Sequence, residues 1–204
     1  MLFPYDIISL NANGLRNNQK RSKIFNQLRN KGQIVALQET HSKPGDERFW
    51  SNALGCGEMW FSHGSPSARG VALFISNKID IKVEGSFSDN EGRMVAVIVN
   101  LNGNKTGIIS IYAPNLSHSS CDKLHHESFL EDIIRQFDTL KLQYDLSNFI
   151  ILGDFNMICD KRTDAHGGNP TIYPKSLALF ESLKNRFELN DITRTLNPEK
   201  NIFT

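Results

Sequence analysis

Residues 93–101 read RMVAVIVNL. Val95 to Val99 are all apolar, and four of these five are β-branched. An amphipathic helix needs a polar face and a half-exposed strand needs alternation; this run offers neither. Such a run reads as a strand covered on both faces, which requires an architecture with an inner layer. The turn signal NGNK follows, and then a second apolar run, TGIISIYAPN.

The remaining strand signals have the same form. YDIISL stops at the turn-rich NANG. IVALQE, MWFSHG, GVALFIS, IDIKVEG and FIILGD are short β-branched or aromatic runs. Three segments carry helical spacing instead. NNQKRSKIFNQLRNKG sets Ile24 and Leu28 one turn apart, with Gly32 as its stop. Asp122 to Tyr144 repeats Phe129, Ile133, Phe137, Leu140 and Tyr144, widened by Leu130 and Ile134. SLALFESLKNRF lines up Phe180, Leu183 and Phe187. THSKPGDE and DKRTDAHGGNPTIYP read as loops, and the terminal NIFT reads as part of another strand. Strands outnumber helices, and helices separate some of them: an α/β layered domain.

The 204 residues, with 39% hydrophobic and 22% charged content, suit a single domain over 1–204, without repeats or a low-complexity linker. A net charge of +1 gives no global signature of a nucleic-acid binder, so any such face must come from local clustering. Cys56, Cys121 and Cys159 are odd in number and widely spaced, which argues against a disulfide framework or a zinc site and for a reducing compartment. The N-terminal stretch lacks a basic region and a long apolar stretch, so no signal peptide is expected, and no run reaches membrane-spanning length.

Four strand exits carry polar groups suited to one chemistry. They are Asn11 and Asn13; Gln38, Glu39 and Thr40; Tyr112 in YAPN; and Asp154 and Asn156 in GDFN. Taken singly, each has a bland reading: asparagines in turns, a solvated glutamate, a half-buried tyrosine, Asp-x-Asn as a turn. Taken together they suit metal-assisted phosphodiester hydrolysis. Glu39 is the best ligand for a hard cation, with the Asn11 amide oxygen near it. Asp154 could orient or deprotonate water, Asn156 could hold that water or a phosphate oxygen, and the Tyr112 phenol could donate to the phosphoryl group.

In order, SLNANGL, ALQETH, SIYAPN and ILGDFN resemble the motifs of the endonuclease/exonuclease/phosphatase superfamily. More narrowly, they resemble the apurinic-endonuclease-type endonuclease domain of LINE-type (non-LTR) retrotransposon polyproteins. The resemblance runs over essentially the whole chain. It implies a four-layered α/β sandwich: two packed mixed β-sheets flanked by helices, DNase I-like. It also implies Mg2+ as cofactor, with Mn2+ an alternative, and nicking of double-stranded DNA to leave a 3′ hydroxyl that primes reverse transcription. The implied partners are double-stranded DNA and a reverse transcriptase domain of the same polyprotein, with no membrane. The implied setting is nuclear after synthesis in the cytoplasm. By motif, Asn11 and Glu39 belong to the metal side, Tyr112 to the phosphate, Asp154 to the nucleophile and Asn156 to the reacting group. Asn13 and Thr204 fall at substrate-contact positions. The rivals are a stand-alone abasic-site repair nuclease, a phosphatase of the same superfamily, and a non-catalytic DNA-binding remnant.

One departure stands out. Family members end with an aspartate in an Ile-Asp-like strand and then a Ser-Asp-His motif, and none of the 204 residues matches these. His41, His63 and His166 lie in unrelated contexts. The expectation is a domain short of its last strands, nearly inactive alone and prone to associate through an open edge. Other residues carry two readings each. His41 is supporting or a loop residue, Arg69 a phosphate contact or a strand opener. The basic helix around Lys20, Arg21, Lys23 and Arg29 is a phosphate face or a solvated one. His125 and His126 read as solvated, and Trp50 and Trp60 as packing residues.

Overall fold

The computed structural model describes residues 5–29, 31–101, 103–165 and 171–197. His166, Thr204 and the NIFT strand expected from sequence lie outside them. The chain forms two compact units, one of residues 1–112 and 142–154, the other of residues 113–141 and 155–204.

The first unit holds two four-stranded sheets. One contains β1 (Ile7–Asn11), β2 (Ile34–Gln38), β3 (Gly57–Ser62) and β4 (Val71–Ser76), in the order β1-β2-β4-β3. The other contains β5 (Lys82–Ser88), β6 (Met94–Leu101), β7 (Asn104–Tyr112) and β8 (Asn148–Asp154), in sequence order. Both sheets are mixed: β1 pairs parallel to β2, β7 parallel to β8, and the other neighbours are antiparallel.

The period-2 alternation of strands decides where each residue goes. Ile34, Ala36, Val71, Leu73, Val95, Val97, Val99 and Ile108 form the core between the sheets. Their neighbours Val35, Leu37, Ala72 and Phe74 face outward, against Phe25 and Leu28 of α1 (Asn18–Leu28) and Trp50 and Leu54 of α2 (Glu47–Leu54). The all-apolar run Val95–Val99 is fully buried, as its composition requires. Gln38 ends β2 at 1% exposure. A buried amide must find partners, and Gln38 Nε2 donates 3.1 Å to Ser110 Oγ of the other sheet.

Helix α2 was not expected. Its sequence, ERFWSNAL, is eight residues long, and only Trp50 and Leu54 are buried. Two apolar anchors four apart are too brief a pattern to register as periodic. Arg21 also departs from the basic-face reading. It is 7% exposed, its NH1 donates to the Leu15 carbonyl at 2.8 Å, and its guanidinium lies over the Phe49 and Trp50 rings.

The second unit is helical, with most of α3 (Ser120–Tyr144), then α4 (Pro174–Arg186) and α5 (Ile192–Leu196). Pro174 opens α4, where its missing N–H costs nothing. The Phe137 ring meets Phe187 edge-on at 5.4 Å, and Phe155 meets Phe180 at 4.9 Å. The buried row of α3 is His126, Leu130, Ile133, Phe137 and Leu140. His125 is exposed as expected, but His126 is fully buried, contrary to the solvated reading. Cys56, Cys121 and Cys159 are free thiols. No helix among the described residues is long and apolar enough to cross a membrane.

Trp50 is 1% exposed and stacks edge-on with Phe25 and Phe61. Trp50→Ala is expected to lower unfolding stability by about 3–5 kcal/mol in denaturant titration. A loss below about 1 kcal/mol would mean that α2 does not depend on this anchor.

Candidate functional site

The registers bring the strand exits level. Asn11 pairs opposite Gln38 at the ends of β1 and β2, and Tyr112 opposite Asp154 at the ends of β7 and β8. Beyond β2 the chain turns sharply. Glu39 has φ 49°, His41 φ 54°, and the facing Asn13 and Arg69 have φ 45° and 64°. Side chains of these types rarely adopt this left-handed region without support.

The support is a lattice of main-chain bonds. Gly14 N–H donates to the Glu39 carbonyl (2.7 Å), Leu15 N–H to Thr40 (3.0 Å), Thr40 N–H to Gly70 (2.9 Å) and His41 N–H to Arg69 (2.9 Å). Gly70 has φ 90°, and a Cβ there would lie 2.5 Å from Thr40 Oγ1. This turn therefore needs glycine at that position.

Asn11 joins the acids. Its Nδ2 donates to Glu39 Oε1 and to Asp154 Oδ2, each at 2.9 Å. Its Oδ1 accepts the Asn13 N–H at 2.9 Å, which fixes the orientation of the amide. Two acids from strands of different sheets thus converge on one neutral donor. His41 Nε2 stands 3.9 Å from Glu39 Oε2. The sequence reading took the Asn11 oxygen as a metal ligand. In the structure that oxygen serves Asn13, and Asn11 presents its nitrogen to the acids.

Tyr112 is 7% exposed, with the Arg93 guanidinium 5.6 Å above its ring and Arg93 NH1 donating to its carbonyl at 3.1 Å. Burial, and then the neighbouring Arg69 charge, hold the Arg93 pKa below its ordinary value. Arg69 NH1 and Arg93 Nε each lie within 4.0 Å of Glu91, which is largely solvated. Asn13 is exposed, and its carbonyl accepts Lys20 Nζ at 2.6 Å. In the second unit, Asn156 has φ 49°, and its Nδ2 donates 2.8 Å to the carbonyl of Ala113, the residue after Tyr112.

A second polar chain braces the Glu39 turn. Thr40 Oγ1 donates to Ser42 Oγ at 3.0 Å, Ser42 Oγ meets His63 Nδ1 at 3.0 Å, and His63 Nε2 meets Glu47 Oε1 at 2.9 Å. Ser42 is fully buried, so this Ser-His-Glu order is structural rather than nucleophilic. Burial pushes the Glu47 carboxyl up. The N–H groups of Glu47 itself and Gly45, together with the His63 ring, pull it further down, to below its ordinary value.

Comparison with known proteins agrees with this geometry. The sequence model of the Endonuclease/Exonuclease/phosphatase family matches residues 8–198. The chain belongs to this family. The Xenopus laevis "Transposon TX1 uncharacterized 149 kDa protein" is 30% identical over 199 residues, 97% of the chain; the chain spans 14% of that protein's length. Among solved structures, AP endonuclease LMAP from Leishmania major superposes with TM-score 0.75 at 18% identity, over 96% of this chain and 70% of that one. An AP endonuclease from Archaeoglobus fulgidus gives 0.73 at 20% identity, over 97% and 76%. The 3′ phosphatase NExo from Neisseria, bound to a product DNA hairpin, gives 0.70 at 17% identity, over 96% and 76%. The fold is thus the DNase I-like α/β sandwich of two mixed sheets flanked by helices.

The family comprises metal-dependent phosphodiesterases and phosphatases. Glu39 and Asp154 fit a hard divalent cation, because two like-charged carboxylates meet across a single amide and hard cations take carboxylate oxygens with water completing the shell. No cluster of three or more His, Cys, Asp or Glu side chains among the described residues could hold an ion. Sequence reasoning missed Arg93, which reads as an ordinary turn residue in NEGRM, and His63 with Glu47, whose pairing spans 16 residues.

A depressed carboxyl contributes stability above its ordinary pKa and loses it as pH falls through the lowered one. Glu47 is therefore expected to account for part of the acid-side loss of stability. Denaturant titrations from neutral pH down through the carboxylate range should show a shallower fall for Glu47→Gln than for the parent. Superimposable acid limbs would contradict the His63–Glu47 bond.

Proposed function

We propose that this chain is the endonuclease domain of a retrotransposon polyprotein. It nicks double-stranded DNA with Mg2+, or Mn2+, and leaves a 3′ hydroxyl that primes reverse transcription by another domain of the same polyprotein, in the nucleus. The observation that carries the reading is the 30% identity with a transposon protein over 97% of the chain. The convergence of Glu39 and Asp154 on Asn11 supports the chemistry.

Each residue has a role in this reading. Glu39 holds the cation with Asp154 beside it, and the cation when bound neutralises charge on the phosphate and the leaving oxygen. Asp154 orients the attacking water and accepts its proton. Asn11 spans the two acids and keeps their separation fixed. The Tyr112 phenol donates to a phosphoryl oxygen as negative charge grows there. Arg69 and Arg93 attract the DNA backbone as charged donors. Asn13 and Thr204 contact the substrate strand. Asn156 ties the residue after Tyr112 to the turn after Asp154 through its bond to Ala113.

A second reading is an abasic-site repair nuclease, favoured by the superposition on two AP endonucleases. Their identity of 18% and 20% extends to the fold alone. The phosphatase reading draws on the Neisseria enzyme in the same way.

The test uses the longer protein with supercoiled plasmid and Mg2+. Nicked circles are expected before linear product, with equal rates on intact and abasic plasmid. Strict dependence on abasic sites would favour the repair reading, and release of inorganic phosphate without nicking the phosphatase. Retention of plasmid with no nick would indicate a DNA-binding remnant. Glu39→Gln should keep the fold and slow nicking by about 10²-fold or more, the scale of losing one preorganised charge-stabilising group. An undiminished Mg2+-dependent rate would remove Glu39 from the mechanism.

A further inference from the structure

The buried row of α3 is apolar except at its first position. Leu130, Ile133, Phe137 and Leu140 follow His126, which is 0% exposed, while the adjacent His125 stands in solvent. Burying an imidazole costs free energy that a leucine or phenylalanine would not. A histidine at this point therefore needs a bond that repays its desolvation.

That bond is made to the turn after β8. His126 Nε2 lies 2.8 Å from the Phe155 carbonyl oxygen. A carbonyl can only accept, so Nε2 carries a proton. Phe155 is the middle residue of Asp154-Phe155-Asn156. Its ring meets Phe180 of α4 edge-on at 4.9 Å. Fixing that oxygen fixes the peptide plane between Phe155 and Asn156. The plane in turn sets the direction in which Asn156 leaves the turn, at φ 49° and with its Nδ2 on the Ala113 carbonyl.

We propose that His126 is a positioning residue: its Nε2–H bond to the Phe155 carbonyl locks the peptide plane that orients Asn156. The proposal rests on the reading of Asp154 and Asn156 as parts of a nuclease site. A histidine in this role acts on the site through the main chain and not by contact with substrate. An apolar side chain of similar size fills its space without fixing the carbonyl. Glutamine, whose amide nitrogen reaches about as far as Nε2, does both.

Three measurements test it. In the 204-residue chain, long-range 15N–1H spectra of the ring should show a proton on Nε2 of His126; protonation at Nδ1 alone would overturn the bond. No variant needs to fold for this result. In the same chain, His126→Phe should speed exchange of the Asn156 side-chain amide by about tenfold or more, since local opening sets such rates. His126→Gln should bring it back near the parent value. Unchanged exchange in His126→Phe, or equal acceleration in both variants, would overturn the proposal. In the longer protein, His126→Phe should lower kcat for nicking by about 10–100-fold with KM little changed, the scale expected for a displacement near 1 Å, and His126→Gln should recover most of it. An exchange effect without a kcat effect would also overturn the positioning role. If the parent protein does not nick DNA at all, the nuclease reading fails, while the ring and amide spectra still decide what His126 holds.

Discussion

One amide nitrogen carries much of this structure. Asn11 Nδ2 has two hydrogens, and each goes to a carboxylate, Glu39 from the β2 exit and Asp154 from the β8 exit. Asn11 and Asp154 are 143 residues apart and lie in different sheets. Their meeting therefore depends on the stacking of the sheets and not on any local turn. An ionised carboxylate can only accept, so two acids so close require a donor or a cation between them. The donor is built into the fold, and it leaves both acids disposed toward a metal.

Stacking in the correct register has its own lock. The core between the sheets is apolar, and its packing is not directional. Gln38 does not tolerate a slip. Its amide is buried beside Ser110 of the facing sheet, and a shift would leave both groups without partners. Gln38 immediately precedes Glu39, so the group that sets the register also sets the height of the Glu39 carboxylate. The left-handed residues after it, held by Gly14, Gly70 and the Thr40–Ser42–His63–Glu47 chain, then aim that acid.

Much of this was legible in the sequence, for physical reasons. Strands buried on both faces can hardly hide: Val95 to Val99 has no alternative that satisfies its side chains. The eight strands among the described residues overlap the β-branched or aromatic runs, β5 starting three residues later than its run, and the four polar exits lie where strand meets loop. What escaped was of another kind. Helix α2 carries only two buried anchors, too few to make a period. His126 read as solvated because its neighbour is a second histidine, and its partner is a main-chain oxygen 29 residues away that no side-chain pattern records. Arg21 read as part of a basic face, yet it lies buried against two rings of a helix that was itself unseen. For His126 the deciding contact is both long in sequence and polar. Hydrophobic periodicity reports a residue's face but not its partner.

The central claim is that Glu39 and Asp154 form a cation site assembled by Asn11. Water-proton relaxation during Mn2+ titration of the chain tests this directly, without any assumption about substrate. The account predicts one ion bound per chain, displaced by Mg2+. That site should be lost in Glu39→Gln and weakened in Asp154→Asn, with the circular dichroism of both variants unchanged. Mn2+ affinity equal in the parent and in Glu39→Gln would contradict it.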